Sequence, residues 1–307
     1  MSTFKGAAIT ETRIYDDPAN PQSSPYRVSL PITVLSAVRD PDTGKGLDQI
    51  LEEMAKVPVP AVDPVLANNS WEVISDVSRN FIAKHELTAL EVAIHLGWQI
   101  GDEITFNLNG TLSGVEDQPI TMQIYDFNHD DLADGSGKAG ITFGMKGLMM
   151  ASDMNANGTR RMEETNTNAN SFIGSEMGIW LNGALFDMFP SDVKAAIKDV
   201  NKKASAGSQS TTIRTDAMKV FLFSVSECFG TTGTLYGVPG EGEQYPIFTD
   251  NASRIKLTNN GTGSANGWWE RSPRRSDSTC FCIVNANGAA YLSNASSAYR
   301  VCLGFCV

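Results

Sequence analysis

The last forty residues constrain this chain more than any other stretch. Trp268-Trp269-Glu270-Arg271-Ser272-Pro273 opens a block that passes through Phe281-Cys282-Ile283-Val284-Asn285-Ala286-Asn287-Gly288. It closes on Tyr299-Arg300-Val301-Cys302-Leu303-Gly304-Phe305-Cys306-Val307. From Arg271 onward there is no Lys, Glu, Gln, Met, Trp or His, although the rest of the chain uses all six. At average usage such a gap arises by chance on the order of once in a thousand. A strand-rich end softens that figure, because Lys, Glu and Gln are poor strand formers. With His set aside, the missing residues are those that codons AAC and AAT cannot reach when only their adenines change.

Length and composition bound the rest. A chain of 307 residues makes one large domain or two modest ones, with room for a real core. Low charge with abundant Asn, Ser, Thr and Gly favours a loop-rich protein containing β structure. No run of about 18 apolar residues occurs, so no membrane insertion is expected. Met1–Arg13 lacks an apolar stretch, so no secretory signal is expected. The net charge of -11 is uneven: from Arg254 onward six basic residues face two acidic ones, giving +4 there and -15 in the rest. An acidic body argues against nucleic-acid binding, and a basic end could favour an anionic ligand.

Residues 1–29 are polar and turn-rich, and Leu30–Val38 reads as a strand. Leu47, Ile50, Leu51 and Met54 recur at the spacing of one helix face. So short a helix must pack on the body, on its own copies or on a partner. Pro58–Pro64 reads as a semi-rigid spacer, and the module boundary falls at about residue 67. Beyond it the sequence predicts helices over 87–96, ending at Gly97, over 176–186, and over 193–203 capped by Ser191 with Asp192. Strands are expected at 104–108, before an Asn109-Gly110 turn, and at 120–127, 141–143 and 220–225. Residues 151–170 read as a long surface loop, and 204–212 as a connector.

Little here points to chemistry. His95 reads as packed. Asn128-His129-Asp130-Asp131, with Asp134 and Gly135, is the one oxygen-rich cluster to weigh for calcium. It lacks EF-hand spacing and a terminal Glu, so a solvated turn and no metal are expected. Gly237–Gly242 is glycine-rich but acidic, which disfavours a phosphate cradle. The five cysteines are Cys228, Cys280, Cys282, Cys302 and Cys306. Cys280 and Cys282 share a strand face, and paired CxxC spacing for zinc is absent. Buried free thiols are the expectation, and no cofactor is implied.

The C-terminal block resembles the variable proteins of diversity-generating retroelements. Their frame reads Trp-Trp-x-Arg-Ser-Pro, a variable run, Phe-Cys-x-Val-Asn-x-x-Gly, a second variable run, and an apolar end. Trp268, Trp269, Arg271, Ser272, Pro273, Phe281, Cys282, Val284, Asn285, Gly288, Val301 and Phe305 match it. The ending departs, with Arg300-Val301-Cys302-Leu303-Gly304-Phe305 where relatives often read Gly-Val-Arg-Pro-Ala-Phe. Trp71–Ser75, Gly101-Asp102, Leu108–Gly110, Phe127–His129, Trp180–Asn182, Glu227–Gly230 and Gly240–Pro246 resemble the same family, common in prophages of gut bacteria.

The resemblance implies an α+β fold: an N-terminal attachment segment, 1–67, then a C-type-lectin-like body, 68–307, akin to formylglycine-generating enzymes. It implies a non-catalytic, diversified ligand-binding face at 268–307 in a phage tail adhesin. The implied partners are a bacterial cell-surface receptor, protein or glycan, and phage tail proteins, with assembly as a homo-oligomer, often a trimer. The protein would be made in the bacterial cytoplasm and carried in the virion. The residues between frame positions would form the face: Arg274, Arg275, Asp277, Ser278, Thr279, Ile283, Ala286, Asn287, Ala289, Tyr291, Ser293, Asn294 and Ser297. Tyr with Ser and Asn is also the composition of antibody loops, yet ordinary exposed surface reads the same way. Two other readings stay open. One is an oxidase-like enzyme, for which Cys280 and Cys282 are too close in sequence. The other is a virion decoration protein without receptor specificity.

Overall fold

Alternating apolar residues make Pro119–Phe127 the longest strand among the described residues, with Ile120, Met122 and Ile124 fully buried on one face. The strand belongs to a computed structural model that describes residues 44–46, Gln49, 59–230 and 236–307. The expected strand at 30–38 and the apolar face Leu47, Ile50, Leu51 and Met54 lie outside the described residues.

Among the described residues the strands are, in chain order, β1 Glu103–Asn107, β2 Thr111–Leu112, β3 Val115–Glu116, β4 Pro119–Phe127, β5 Ile141–Met145 and β6 Thr159–Arg160. There follow β7 Val200–Ser205, β8 Ile213–Met218, β9 Val220–Leu222, β10 Lys256–Leu257 and β11 Ala265–Asn266. The chain ends with β12 Trp268–Pro273, β13 Cys280–Val284, β14 Ala290–Asn294, β15 Tyr299–Arg300 and β16 Leu303–Cys306. With the intervening short helices this is an α+β protein.

Two five-stranded sheets dominate. The first has the order β1-β4-β5-β16-β9 and is antiparallel throughout. The C-terminal strand therefore docks in its interior, despite the departure of its sequence from the resembled frame. Phe305 brings its ring to Trp71 (5.7 Å) and Phe143 (5.8 Å). Ser78 Oγ donates to the carbonyl of Val307, which ties the end of the helix Trp71–Val77 to the chain end. Gly144 and Gly304 pair across β5 and β16. A Cβ at either glycine would enter the rings of Tyr125 or Phe223, which stack at 4.9 Å on this spot. The second sheet has the order β14-β13-β12-β15-β6, antiparallel except for the parallel pairing of β12 with β15.

Several expectations hold, and several need correction. The helix Ala89–Leu96 starts on a Thr88–Glu91 capping box and ends at Gly97, whose φ of 80° suits a residue without a Cβ. The predicted 176–186 helix runs as Glu176–Trp180, continued by the π-helical turn Leu181–Leu185. The predicted 193–203 helix forms only over its first turns. It spans only Ser191–Ala196, Pro190 is its N-cap, and no side chain caps it. Residues 200–205 are instead β7, because Val200, Lys202 and Ala204 alternate inward and pair with β8. The 151–170 stretch is no surface loop: it supplies β6 and buries Ala151, Met162 and Asn168. Asn109-Gly110 turns into the small β2–β3 hairpin rather than directly into β4.

Residues 59–307 form one compact unit, so the body begins before the boundary expected at 67. Leu66 is buried, and Trp98 Nε1 donates to the carbonyl of Asp63 at 3.0 Å, which fastens the end of the expected spacer to the body.

Candidate functional site

Apart from the half-buried Asn285, the frame residues of the C-terminal block are core. Trp268, Trp269, Phe281, Cys282, Val284, Val301 and Phe305 are all fully buried. Each indole N–H finds a carbonyl, Trp268 on Arg254 at 3.1 Å and Trp269 on Arg160 at 2.7 Å. The pair is therefore anchored rather than presented as a stacking platform.

Between Trp269 and Pro273 the register with β13 breaks: Trp269 faces Ile283, but Pro273 faces Phe281. Four positions on β12 thus span two on β13. The extra residues swing Arg271 toward the first sheet, where its N–H donates to the carbonyl of Phe223 at 2.9 Å. Its guanidinium then satisfies a whole buried cluster. Nε donates to Lys203 O (2.9 Å), Nη1 to Leu222 O (2.8 Å), and Nη2 to Glu241 O (2.8 Å) and Glu227 Oε1 (2.7 Å). Nη1 also pairs with Glu227 Oε2.

Glu227 meets Lys202 Nζ at 2.6 Å, and Lys202 reaches Asp130 Oδ1 at 2.7 Å. Asp130 Oδ2 accepts from Thr142 and Tyr245, each at 2.7 Å. Burial alone would raise the Asp130 carboxyl, but Lys202 and His129 hold it below the usual range. Burial likewise opposes Glu227, and Arg271 with Lys202 prevail and lower it. This corrects one expectation: Asp130 is not part of a solvated turn but the far end of an internal ion cluster. His95 packs its ring on Phe81 at 5.2 Å.

Glu241 in the glycine-rich 237–242 segment is also fully buried. It accepts from Ser205 N at 2.6 Å and from the Ser272 hydroxyl. Burial raises its carboxyl to about 7 against those hydrogen bonds. Glu270, next to Arg271, is fully buried, and burial holds it well above the usual carboxylate range. All five cysteines are buried and unpaired with one another. Among the described residues no group of three or more His, Cys, Asp or Glu is arranged to hold a metal ion.

The residues expected on the binding face divide into two places and one exception. Arg274, Arg275, Asp277, Ser278 and Thr279 form the β12–β13 loop, closed by Arg274 N donating to Cys280 O at 3.0 Å. Cys280 pairs with Asn294 and Phe281 with Ser293, so Ser293, Asn294 and the following Ser297 lie at the same end of the sheet. Arg275, Ser278 and Asn294 are exposed there. Ala286, Asn287 and Ala289 occupy the β13–β14 turn at the opposite end, about 13 Å away for a strand of this length. Tyr291, 54% exposed, sits on the edge strand nearer that turn, opposite Ile283. Ile283 is the exception. It is 1% exposed, facing Trp269 on one side and Tyr291 on the other, and belongs with the frame rather than the face.

The β12–β13 loop is held in shape. Asp277 Oδ1 accepts from Thr279 N at 2.6 Å, and these Thr279 hydrogen bonds lower its carboxyl. Asn168 Nδ2 donates to Asp277 O and Cys280 O, both at 2.8 Å, while Asn168 Oδ1 accepts from Ser208 N at 2.7 Å. Arg275 N donates to Tyr236 O at 2.9 Å. Asn166 Oδ1 receives Ser296 N at 3.2 Å. Asn166 and Asn168 were missed by sequence reasoning, because an Asn-rich polar run carries no periodicity that marks which amides turn inward.

Residues 146–305 match a family model described as "Domain of unknown function (DUF6273)". The chain belongs to the DUF6273 family. The matched region starts at the end of β5 and contains the whole second sheet, so the frame, both loops and most of the ion cluster fall within it. No curated protein and no solved structure matches the chain.

Proposed function

We propose that this DUF6273 protein is a non-catalytic ligand-binding protein with a C-type-lectin-like body, acting as a phage receptor-binding adhesin. The β12–β13 loop, with Ser293, Asn294 and Ser297, is the contact surface for a bacterial cell-surface protein or glycan. Attachment to a phage tail falls to the N-terminal segment, and copies of the chain act together so that weak contacts add up through avidity.

The observation that carries the reading is a sharp division of labour within forty residues. Trp268, Trp269, Phe281, Cys282, Val284, Val301 and Phe305 are all fully buried, while Arg275 and Ser278 project from a loop pinned at its base by Asn168, and Asn294 is exposed at the adjoining end of β14. A surface whose residues can change without touching the core is what a diversified binder needs. Burial of both Cys280 and Cys282 also counts against an exposed dithiol reaction centre.

The test is adherence of the purified full chain to a panel of bacterial strains. Replacing Arg275, Ser278 and Asn294 together with Ala should abolish adherence while thermal unfolding stays unchanged. Replacing Ala286 and Asn287 with Ser should have little effect. Adherence that survives the triple change, or that never exceeds a denatured control on any strain, sinks the proposal.

A further inference from the structure

Two buried cations, Lys202 and Arg271, anchor the internal cluster, and two carboxylates, Asp130 and Glu227, already match them. Glu241 is a third carboxyl in the same place, so among the described residues its charge has no counter-ion of its own. Three elements press on it. From β12 come Arg271 and Ser272, with Glu270 nearby. The helix Val225–Phe229 brings Glu227, and β7 brings Ser205 N. Cys282 on β13 also feels its charge. Of these groups only Arg271 favours the ionised form through charge, and both Nη atoms of Arg271 already serve Glu227.

The segment that carries Glu241 is tied to its surroundings at several points. Its carbonyl accepts from Arg271 and from Ser224 Oγ, and a side chain at Gly237 would meet Val225 and come within 3.3 Å of Glu241 Oε2. At the other end of the segment, Tyr236 O holds the backbone of Arg275. Ser205, which donates to Glu241, begins a second route outward. Its hydroxyl accepts from Gly207 N at 3.2 Å, and Ser208 N reaches Asn168, which pins the β12–β13 loop. Both ends of the loop therefore lead back to one carboxyl.

We propose that Glu241 is a protonation-dependent latch: neutral, it holds the 236–242 segment and with it the Arg274–Thr279 loop against the body, and ionised, it releases them. The sign follows from linkage. The buried carboxyl titrates at about 7 and a solvated one at about 4.5. The closed form therefore binds the extra proton between those values, and opening becomes easier as pH rises through that window and levels off above it. Over two pH units the opening equilibrium should rise on the order of a hundredfold.

Amide hydrogen exchange on the full chain between pH 5 and 8, corrected for intrinsic rates, reads this directly. Peptides covering 236–242 and 274–279 should lose protection together up to about pH 7, while those covering β4 and β5 hold theirs. Glu241→Gln keeps an acceptor for Ser205 N and should flatten the profile of both peptides. A profile that is flat in the unaltered protein, or that persists in Glu241→Gln, overturns the latch. If Glu241→Gln does not fold, a 13C-glutamate titration of the unaltered protein decides. It should show a carboxyl with a midpoint near 7 that moves upward in Ser272→Ala, which removes a donor to the ionised form. A midpoint that is absent or unmoved overturns the proposal. None of these readouts needs a ligand, so the latch can fail while the binding reading stands, and the reverse.

Discussion

Arg271 and Arg275 stand four positions apart on the same piece of chain and end in opposite environments. Arg271 is fully buried and spends every guanidinium nitrogen on the protein itself. Arg275 is exposed and, among the described residues, is held only through its backbone N–H. The difference arises in the register break between Trp269 and Pro273, which turns one arginine toward the first sheet before the chain leaves for its loop. The lesson concerns polar residues in general. A charge placed beside converging partners becomes part of the architecture, and the same charge a few residues later is free to be spent on a ligand or lost without penalty.

The largest effect that would test this contrast is acid unfolding of the cluster side. Asp130 and Glu227 are both held below their ordinary range by Lys202 and Arg271, against burial. Groups with lowered pKa contribute stability that is present above their unfolded values, about 4, and lost as pH falls toward the folded ones. Glu241 acts in the opposite sense, with stability falling as pH rises from about 4.5 to about 7. Urea unfolding from pH 3 to 8 should therefore peak near pH 5 and drop steeply on the acid side, where Lys202 and Arg271 lose their anions. A midpoint that keeps rising down to pH 3 would break the assignment of Asp130 and Glu227 as the cluster's anions.

Single substitutions come next. Arg271→Met leaves Glu227 buried with Lys202 alone, and it should cost about 3–5 kcal/mol. Trp269→Ala should cost a similar 3–5 kcal/mol, through a cavity and an orphaned carbonyl at Arg160. Denaturant titration measures both. A loss under 1 kcal/mol for either would mean that the frame is not the core of the second sheet.

How much of this was legible in the sequence depends on whether a residue's fate is set by its neighbours in the chain or in space. The tryptophan pair, the Thr88-capped helix and the alternation in β4 follow from local spacing, and they were readable. Lys202 was not. In sequence it looks like the solvated end of a helix continuing from Val193, and three-residue spacing from Ile197 to Val200 encourages that reading. It faces inward on β7 because Asp130 lies 72 positions before it and Glu227 well after it. The split of the expected face had a similar cause. Composition marks Ala286 and Arg274 alike as variable in kind, but the five-residue length of β13 puts them at opposite ends. Ile283 looked free because it lies between frame positions, yet its cross-strand partner is Trp269.

A smaller effect separates the base of the loop from its tip. Asn168→Ala strips two donors from Asp277 O and Cys280 O and one acceptor from Ser208 N. Leaving buried carbonyls unpaired costs about 1–3 kcal/mol. The loss should appear first as faster hydrogen exchange in 274–279, with the β5–β16 pairing protected. Equal deprotection of both regions would mean that the loop is not a separable layer on the frame.

The smallest expected effect is the most telling for function. Arg275→Ala removes an exposed side chain that makes no hydrogen bond to the other described residues, so unfolding free energy should change by less than about 0.5 kcal/mol. Its backbone link to Tyr236 O survives the change, and the loop should keep its shape. If Arg275 meets a ligand, adherence to a responsive strain should fall well beyond what that negligible stability change could explain, and faster release should account for most of the fall. Conversely, if Arg275→Ala destabilises the chain as much as Arg271→Met, the division between frame and face is wrong at its closest point. Measuring the two arginines side by side, in stability and in adherence, therefore tests the contrast where the chain allows only four residues for the change from architecture to surface.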